Sequence, residues 1–298
     1  MNYDDTFRFL ELPQKPNTYL FERLPPVFIC NEKETQKSLK RIFNFSDTLF
    51  KNHQIEYGYH QVEKINVNPQ GSLSVIELRF KWNHNYFHFL TEGLPSLLEI
   101  KSQINIDNFT LLCIQSGFIQ NLLKWFDIHS PILFNVNNSE INECILMKKI
   151  ECGNPSPQKI NLLRNKISEK LVFEKKYGIL IKRSESYRSI LNHDQFLGNL
   201  KSYYNDIEWK VFDKLSFNET TELFSKAKVI VAPHGAGLTN MLFSSQNITI
   251  IEIMNKDDPN VCYWHLSQTL KNKHFIISID SFNGNFVVDD RFKSIKIN

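Results

Sequence analysis

The second half of this 298-residue chain carries the pattern that most limits its fold. Short, nearly continuous apolar runs alternate with amphipathic stretches. The apolar runs are "YGILIKR", "IEWKVFD", "KVIVAP", "ITIIEI" and "HFIISID". Between them stand "NHDQFLGNLKSYY", "SFNETTELFSKA", "GAGLTNMLFS" and "PNVCYWHLSQTLK", each with helical periodicity. Strands that stay apolar at successive positions are buried on both faces, and segments of about 10–13 residues between them suit crossover helices. The pattern predicts an α/β domain built on a doubly wound parallel sheet, Rossmann-like in plan. Ser216 is placed as an N-cap, with Glu219 at the capping-box position.

The first half alternates less cleanly. "PPVFIC", part of "HQIEYGYHQVEKINV", "SLSVIELRF", "FTLLCIQ" and "PILFNV" read as strands, and "NYFHFLTEGLPSLLEIKSQ" and "FIQNLLKWFDI" as helices. "ECGNPSPQK", Glu151 to Lys159, is rich in Pro, Gly, Asn and Ser and reads as a linker before the helix "KINLLRNKISEKL". Length alone favours two domains. The expected division is 1–155, an α/β domain with strand-rich N-terminal additions, and 156–298, a Rossmann-like domain.

Composition narrows the partners. A formal net charge of +3 is too weak for a nucleic-acid protein, though it permits peripheral contact with an acidic membrane. The five cysteines form no Cys-x-x-Cys pair and several sit in apolar runs, which points to reduced thiols in the cytoplasm. The first residues form no signal-peptide core, and no run approaches the about 18 apolar residues of a membrane span. Nothing in the sequence specifies oligomeric state, and a homodimer is the base-rate expectation.

In an open parallel sheet, ligands bind beyond the carboxyl ends of the strands. "KVIVAP" delivers its carboxyl end to His234, Gly235, Ala236 and Gly237. Glycines there allow a sharp turn and close approach of a ligand. A helix starting at this point would offer free N–H groups and a positive dipole end to a phosphate. Thr239 and Asn240 add candidate donors. The same glycines would also serve a tight strand-to-helix turn with no ligand. The third glycine of the dinucleotide fingerprint is missing, which argues against an NAD-dependent dehydrogenase or a sugar-nucleotide epimerase. Lys182 and Arg183 end another strand, with Arg188 close behind, and an arginine fork suits phosphate. Glu252 lies in an apolar strand, placed one residue from its end, where it could accept from ribose or sugar hydroxyls or cap a backbone turn.

In the first half, His84, His88 and Glu92 are spaced by four, which on a helix puts them on one face. Asn85 stands where a zinc-protease helix would carry its Glu, so the spacing is not a metal motif. A histidine with a carboxylate one turn away can act as a general base, and an amphipathic helix would also tolerate both. No Asp-x-Asp metal motif occurs in the chain.

Taken together, "NYFHFLTEGLP" at Asn85 to Pro95, "KRSESYR" at Lys182 to Arg188, "AKVIVAPHGAGLTNMLF" at Ala227 to Phe243 and "IIEI" with Glu252 resemble glycosyltransferase family 61. Bacterial members of that family are often labelled capsular-polysaccharide biosynthesis proteins. The chain departs from the family pattern near "RSILN", where Asn192 matches only approximately. The resemblance implies an inverting enzyme with two Rossmann-like domains facing across a cleft, the GT-B arrangement, with the acceptor side on 1–155. It implies a nucleotide-sugar donor, typically UDP-linked, carrying N-acetylglucosamine, xylose or another pentose or hexose, and a glycan acceptor. His88 or Glu92 would be the base, with the other orienting it. Arg183, Arg188, His234, Gly235, Ala236, Gly237, Thr239, Asn240 and Glu252 would form the donor site, with no metal and no permanently bound cofactor. The alternative is a non-catalytic nucleotide- or glycan-binding subunit of a polysaccharide assembly complex.

Overall fold

The computed structural model describes residues 63–66, 73–78, 84–133, 141–146, 155–183, 187–255, 257 and 260–297. The strand expected at "PPVFIC", Cys30 and Cys152 lie outside the described residues, as does most of "HQIEYGYHQVEKINV". The described residues divide into two compact units, one ending at Leu163 and one beginning at Arg164.

In the first unit, a five-stranded sheet has the order β1 (Glu63–Asn66), β5 (Ile141–Leu146), β2 (Leu73–Glu77), β3 (Thr110–Leu112) and β4 (Ile132–Leu133). Every pairing is parallel except β1 with β5, which is antiparallel. The β5 strand has no counterpart in the sequence reading. A long helix, α1, spans 86–103, and α2 (Gly117–Trp125) follows β3. Phe87, Phe89, Leu90, Leu94, Leu97 and Ile100 of α1 are buried.

The division between the units falls within α3 (Pro157–Ser168). That helix begins two residues earlier than expected, because Pro157 has the fixed φ and the missing N–H that suit a first helical position. Pro157 to Lys159 of the expected linker are therefore helical.

The second unit is the doubly wound sheet. Its order is β10 (Lys273–Ile279), β9 (Thr249–Asn255), β8 (Ala227–Pro233), β6 (Tyr177–Ile181), β7 (Glu208–Phe212), all parallel. The strands are connected through α4 (His193–Tyr203), α5 (Phe217–Ser225), a segment after β8 and α6 (Cys262–Thr269). The Ser216–Glu219 capping box forms as expected. One face packs Val229, Val231, Ile251, Ile253 and Ile277 against Phe196, Leu200 and Phe292. The chain runs from β6 outward to β7, then returns to β8 on the other side of β6. The order therefore reverses between β6 and β8, and that is where open α/β sheets bind ligands.

The segment after β8 is not the expected α-helix. Ala236–Phe243 winds as a 3-10 helix, with Leu238 N–H donating to Gly235 C=O at 3.0 Å. Leu238 to Phe243 are all buried, so apolar and polar residues alike face protein, and the narrower winding fits that confinement. Arg164 donates to the Leu242 carbonyl near its far end.

Two further elements follow β10. The strands β11 (Ser281–Phe282) and β12 (Asn285–Phe286) form a hairpin through Asn283 and Gly284, both at positive φ (48° and 77°). That is the Asn-Gly two-residue turn whose twist matches paired strands. The hairpin is bonded to the stretch after β6: Arg188 N–H donates to Gly284 C=O at 2.7 Å, and Ile190 bridges Phe286.

Candidate functional site

The second unit collects its polar side chains at the β6/β8 switch point. Arg183 leaves the end of β6 and donates from Nη1 to the His234 carbonyl at 3.3 Å. Its guanidinium lies directly over Gly235, where a Cβ would overlap Nη1. Gly235 has φ 162°, ordinary extended backbone, so its small size serves the arginine and not a strained turn. Gly237 is also tight, since a Cβ there would come within 3.1 Å of Ile181. Ala236 and Gly237 are partly exposed, and Lys182 is exposed.

His234 is held from behind. Its Nδ1 lies 2.5 Å from Glu252 Oε1, and Glu252 Oε2 lies 2.9 Å from His274 Nε2. Strand register explains the arrangement. Glu252 pairs with Ala232 on β8 and Ile276 on β10. His234 is two residues beyond Ala232 and His274 two residues before Ile276, so all three side chains share one sheet face. Sequence reasoning placed Glu252 near a strand end, available to sugar hydroxyls. The structure corrects this. Glu252 is the fourth of seven residues in β9, has 0% exposure, and has each carboxylate oxygen against an imidazole. Burial alone would raise its carboxyl, but the charge of His234 and the hydrogen bonds of His234 and His274 outweigh that and hold it below the usual range. His274 escaped the sequence reading because nothing local marks a histidine opening an apolar strand.

Thr239 and Asn240 point inward as well. Both are buried. Tyr263, on α6, stands edge-on to the His234 ring with centroids 5.0 Å apart. Burial pushes its phenol well above the ordinary range, helped by Cys262 and the Glu252 charge and opposed by Arg188. Arg188 takes a left-handed conformation (φ 61°), with its guanidinium 5.0 Å from the Tyr187 ring. Together with His234, Met254, Asn260 and Gly284, these two residues line a cleft. Asn192 sits apart from these groups. Its side chain exchanges two 2.9 Å hydrogen bonds with the Val288 backbone, tying the start of α4 to the segment after the hairpin.

The first unit holds the other candidate pair. Asn85 caps α1, accepting from Phe87 N–H at 2.9 Å. His84 lies before the cap and is exposed, which corrects the expected three-residue face. His88 and Glu92 do meet, Nδ1 to Oε1 at 2.8 Å. Phe89–Gly93, which follows His88 and contains Glu92, is a π-helical turn, with Leu94 N–H reaching back to Phe89 C=O. Pro95 supplies the cause: its ring would collide with the Thr91 carbonyl in a regular helix, and the wider turn relieves that. Such turns recur at functional sites. Glu92 is buried, with 3% exposure, while 14% of the His88 side chain is exposed. Behind Glu92 lies Lys159, also missed by sequence reasoning. Its Nζ donates to Ser96 Oγ at 2.7 Å, and Ser96 Oγ donates to the Glu92 carbonyl at 2.7 Å. Burial pulls the Lys159 ammonium below its usual value, and Glu99, 3.4 Å away, opposes that.

Among the described residues no group of three or more His, Cys, Asp or Glu is arranged to hold a metal ion, and no helix is long and apolar enough to cross a membrane. Cys113 and Cys262 are buried and form no disulfide among the described residues.

Comparison with known proteins agrees with these motifs. The EGF domain-specific O-linked N-acetylglucosamine transferase of Gallus gallus is 33% identical over 101 residues, covering 33% of this chain and 18% of that protein. The Drosophila melanogaster protein of the same name is 32% identical over 89 residues, covering 30% of this chain and 17% of its own. The Mus musculus protein is 32% identical over 101 residues, covering 33% and 19%. The chain thus matches less than a fifth of the length of these relatives. The family model described as Glycosyltransferase 61 matches residues 86–251, more than half of the chain. That span runs from the start of the His88–Glu92 helix through the Arg183 and His234 segments into β9, and the chain belongs to glycosyltransferase family 61.

Proposed function

We propose that this protein is an inverting glycosyltransferase that moves a sugar from a UDP-linked donor to a glycan hydroxyl in polysaccharide or glycan biosynthesis. The observation that carries the reading is the cluster at the β6/β8 switch point. There Arg183 crosses Gly235 beside His234, with Arg188 lining the adjoining cleft. These groups suit a diphosphate: an arginine fork can give two parallel hydrogen bonds, and donors fixed before the reaction stabilise charge as the leaving group departs. In this reading their positive charge makes transfer independent of a metal ion.

Inversion is a single displacement and needs a base for the acceptor hydroxyl. Of the His88–Glu92 pair, Glu92 is the buried member, so we assign it as the orienting carboxylate and His88 as the base. Glu92 accepts from His88 Nδ1–H, leaving Nε2 to take the proton. The reading includes a GT-B arrangement in which the first unit supplies this base and the second the donor site. The N-acetylglucosamine transferases among its relatives make UDP-N-acetylglucosamine the first donor to try.

A thermal-shift panel with UDP, GDP, CMP, dTDP and NAD, with and without EDTA, tests the reading. UDP at a hundredfold over its dissociation constant stabilises a protein by about 2.7 kcal/mol, which is easily seen. A shift with UDP that EDTA leaves unchanged is expected. A shift with NAD alone, or a strict manganese requirement for donor turnover, overturns it.

A further inference from the structure

The carboxylate of Glu252 is shared between two histidines, and only one of them reaches the cleft. An ionised carboxylate can only accept hydrogen bonds. Both imidazole nitrogens that face it therefore carry protons: Nδ1 of His234 and Nε2 of His274. This leaves two nitrogens to place. His234 lines the cleft, and with Nδ1 engaged its remaining nitrogen is Nε2. His274 has a fully buried side chain, and its Nδ1 has no hydrogen-bond partner. A proton on that Nδ1 would leave a charged donor buried with nothing to receive it, which costs far more than a bare lone pair. His274 is thus the neutral Nε2–H tautomer.

We propose that His274 is a positioning residue which, acting through Glu252, keeps His234 Nδ1–H donating to an ionised carboxylate, so that the ring meets the diphosphate of the donor as an imidazolium whose Nε2–H donates to it. The effect on the donor rests on the function proposed above, whereas the relay itself does not. His274 fills the second oxygen of Glu252, so the carboxylate remains an acceptor for His234 Nδ1–H. Without that donor, a buried carboxylate oxygen loses its only partner in this relay. The carboxyl then gains stability by taking a proton. A protonated Glu252 donates to His234 Nδ1, which leaves that ring neutral with its single proton on Nε2. Direction agrees with this: the two imidazoles together overcome the burial of Glu252 and keep its carboxyl below the usual range.

Long-range nitrogen–proton NMR of the histidine rings tests the relay directly, with signals assigned from His234→Asn and His274→Gln. Wild-type protein should show protonated Nδ1 on His234, and on His274 protonated Nε2 with bare Nδ1. In His274→Leu, His234 should lose its Nδ1 proton, and UDP affinity measured by calorimetry should fall about tenfold, as a charge-assisted hydrogen bond to the diphosphate becomes a neutral one. His274→Gln keeps an amide N–H for Glu252 and should restore both the wild-type pattern and the affinity. A wild-type His274 carrying its proton on Nδ1, or an unchanged His234 pattern in His274→Leu, overturns the proposal. If His274→Leu does not fold, the wild-type and His274→Gln spectra still decide. The expected ring patterns with no UDP binding by wild-type protein would leave the relay standing and remove the diphosphate reading of His234.

Discussion

Arg183 occupies the space that a side chain at Gly235 would need. Two segments that are 52 positions apart in the sequence meet here, one ending β6 and the other following β8. Adding a methyl group at 235 should push the guanidinium away from the switch point without touching the sheet. We expect Gly235→Ala to weaken UDP binding by at least tenfold, with little change in melting temperature. In an Arg183→Ala background the same change should cost almost nothing. Calorimetric UDP titrations of the two single variants and the double variant check the coupling, and additive losses would refute it.

His88→Ala should remove donor turnover by about two to four orders of magnitude, the usual worth of a general base, while UDP affinity stays within twofold of wild type. Glu92→Gln should lower kcat less, because the amide still holds the ring in place. Parallel measurement of kcat and of the UDP dissociation constant separates the two effects. A loss of UDP binding in either variant would place the pair in the donor site.

Gly284 sits at φ 77°, and a Cβ there would lie 2.5 Å from the Tyr187 ring. Gly284→Ala should destabilise the hairpin by about 1–3 kcal/mol through backbone strain. It should also shift Tyr187 and so disturb Arg188, whose N–H bonds to Gly284. Urea unfolding together with UDP titration reads both consequences.

The stability contributed by Glu252 has a defined pH window. Its folded carboxyl lies below the ordinary 4.5, so the contribution is complete above that value and is lost as pH falls through the folded value. Wild-type protein should therefore be more stable than Glu252→Gln near neutrality, and the difference should shrink steadily below about pH 4.5. Urea midpoints for both proteins from pH 7 to pH 3 follow this. A difference that stays constant with pH would mean Glu252 is already protonated in the folded state.

Phe292 is fully buried and lies edge-on to Phe196, with ring centroids 5.4 Å apart. It belongs to a short helical turn at Asp290–Ser294, far along the chain from the matched family region. Phe292→Ala should cost about 3–5 kcal/mol in urea unfolding, as for other large core truncations. A cost under about 1 kcal/mol would show that this closing segment is not part of the cooperative core.

The strands and helices of the second unit could be read from the sequence because their signal is local. Apolar runs such as "KVIVAP" and "ITIIEI" need only their own residues to declare burial on both faces, and Ser216 with Glu219 caps a helix within one turn. The His88–Glu92 contact was legible for the same reason, since four residues span one helical turn. Tertiary structure decided the rest. The winding of Ala236–Phe243 depends on what encloses it, and the use of Gly235 depends on an arginine from another strand. Glu252 changed from a rim residue to the centre of a buried relay because its partners come from just beyond one neighbouring strand and from within the other, 18 residues before it and 22 after. Spacing along one chain reports which face a side chain takes. Only the order and register of the strands report which side chains of other strands share that face, and that decided the site.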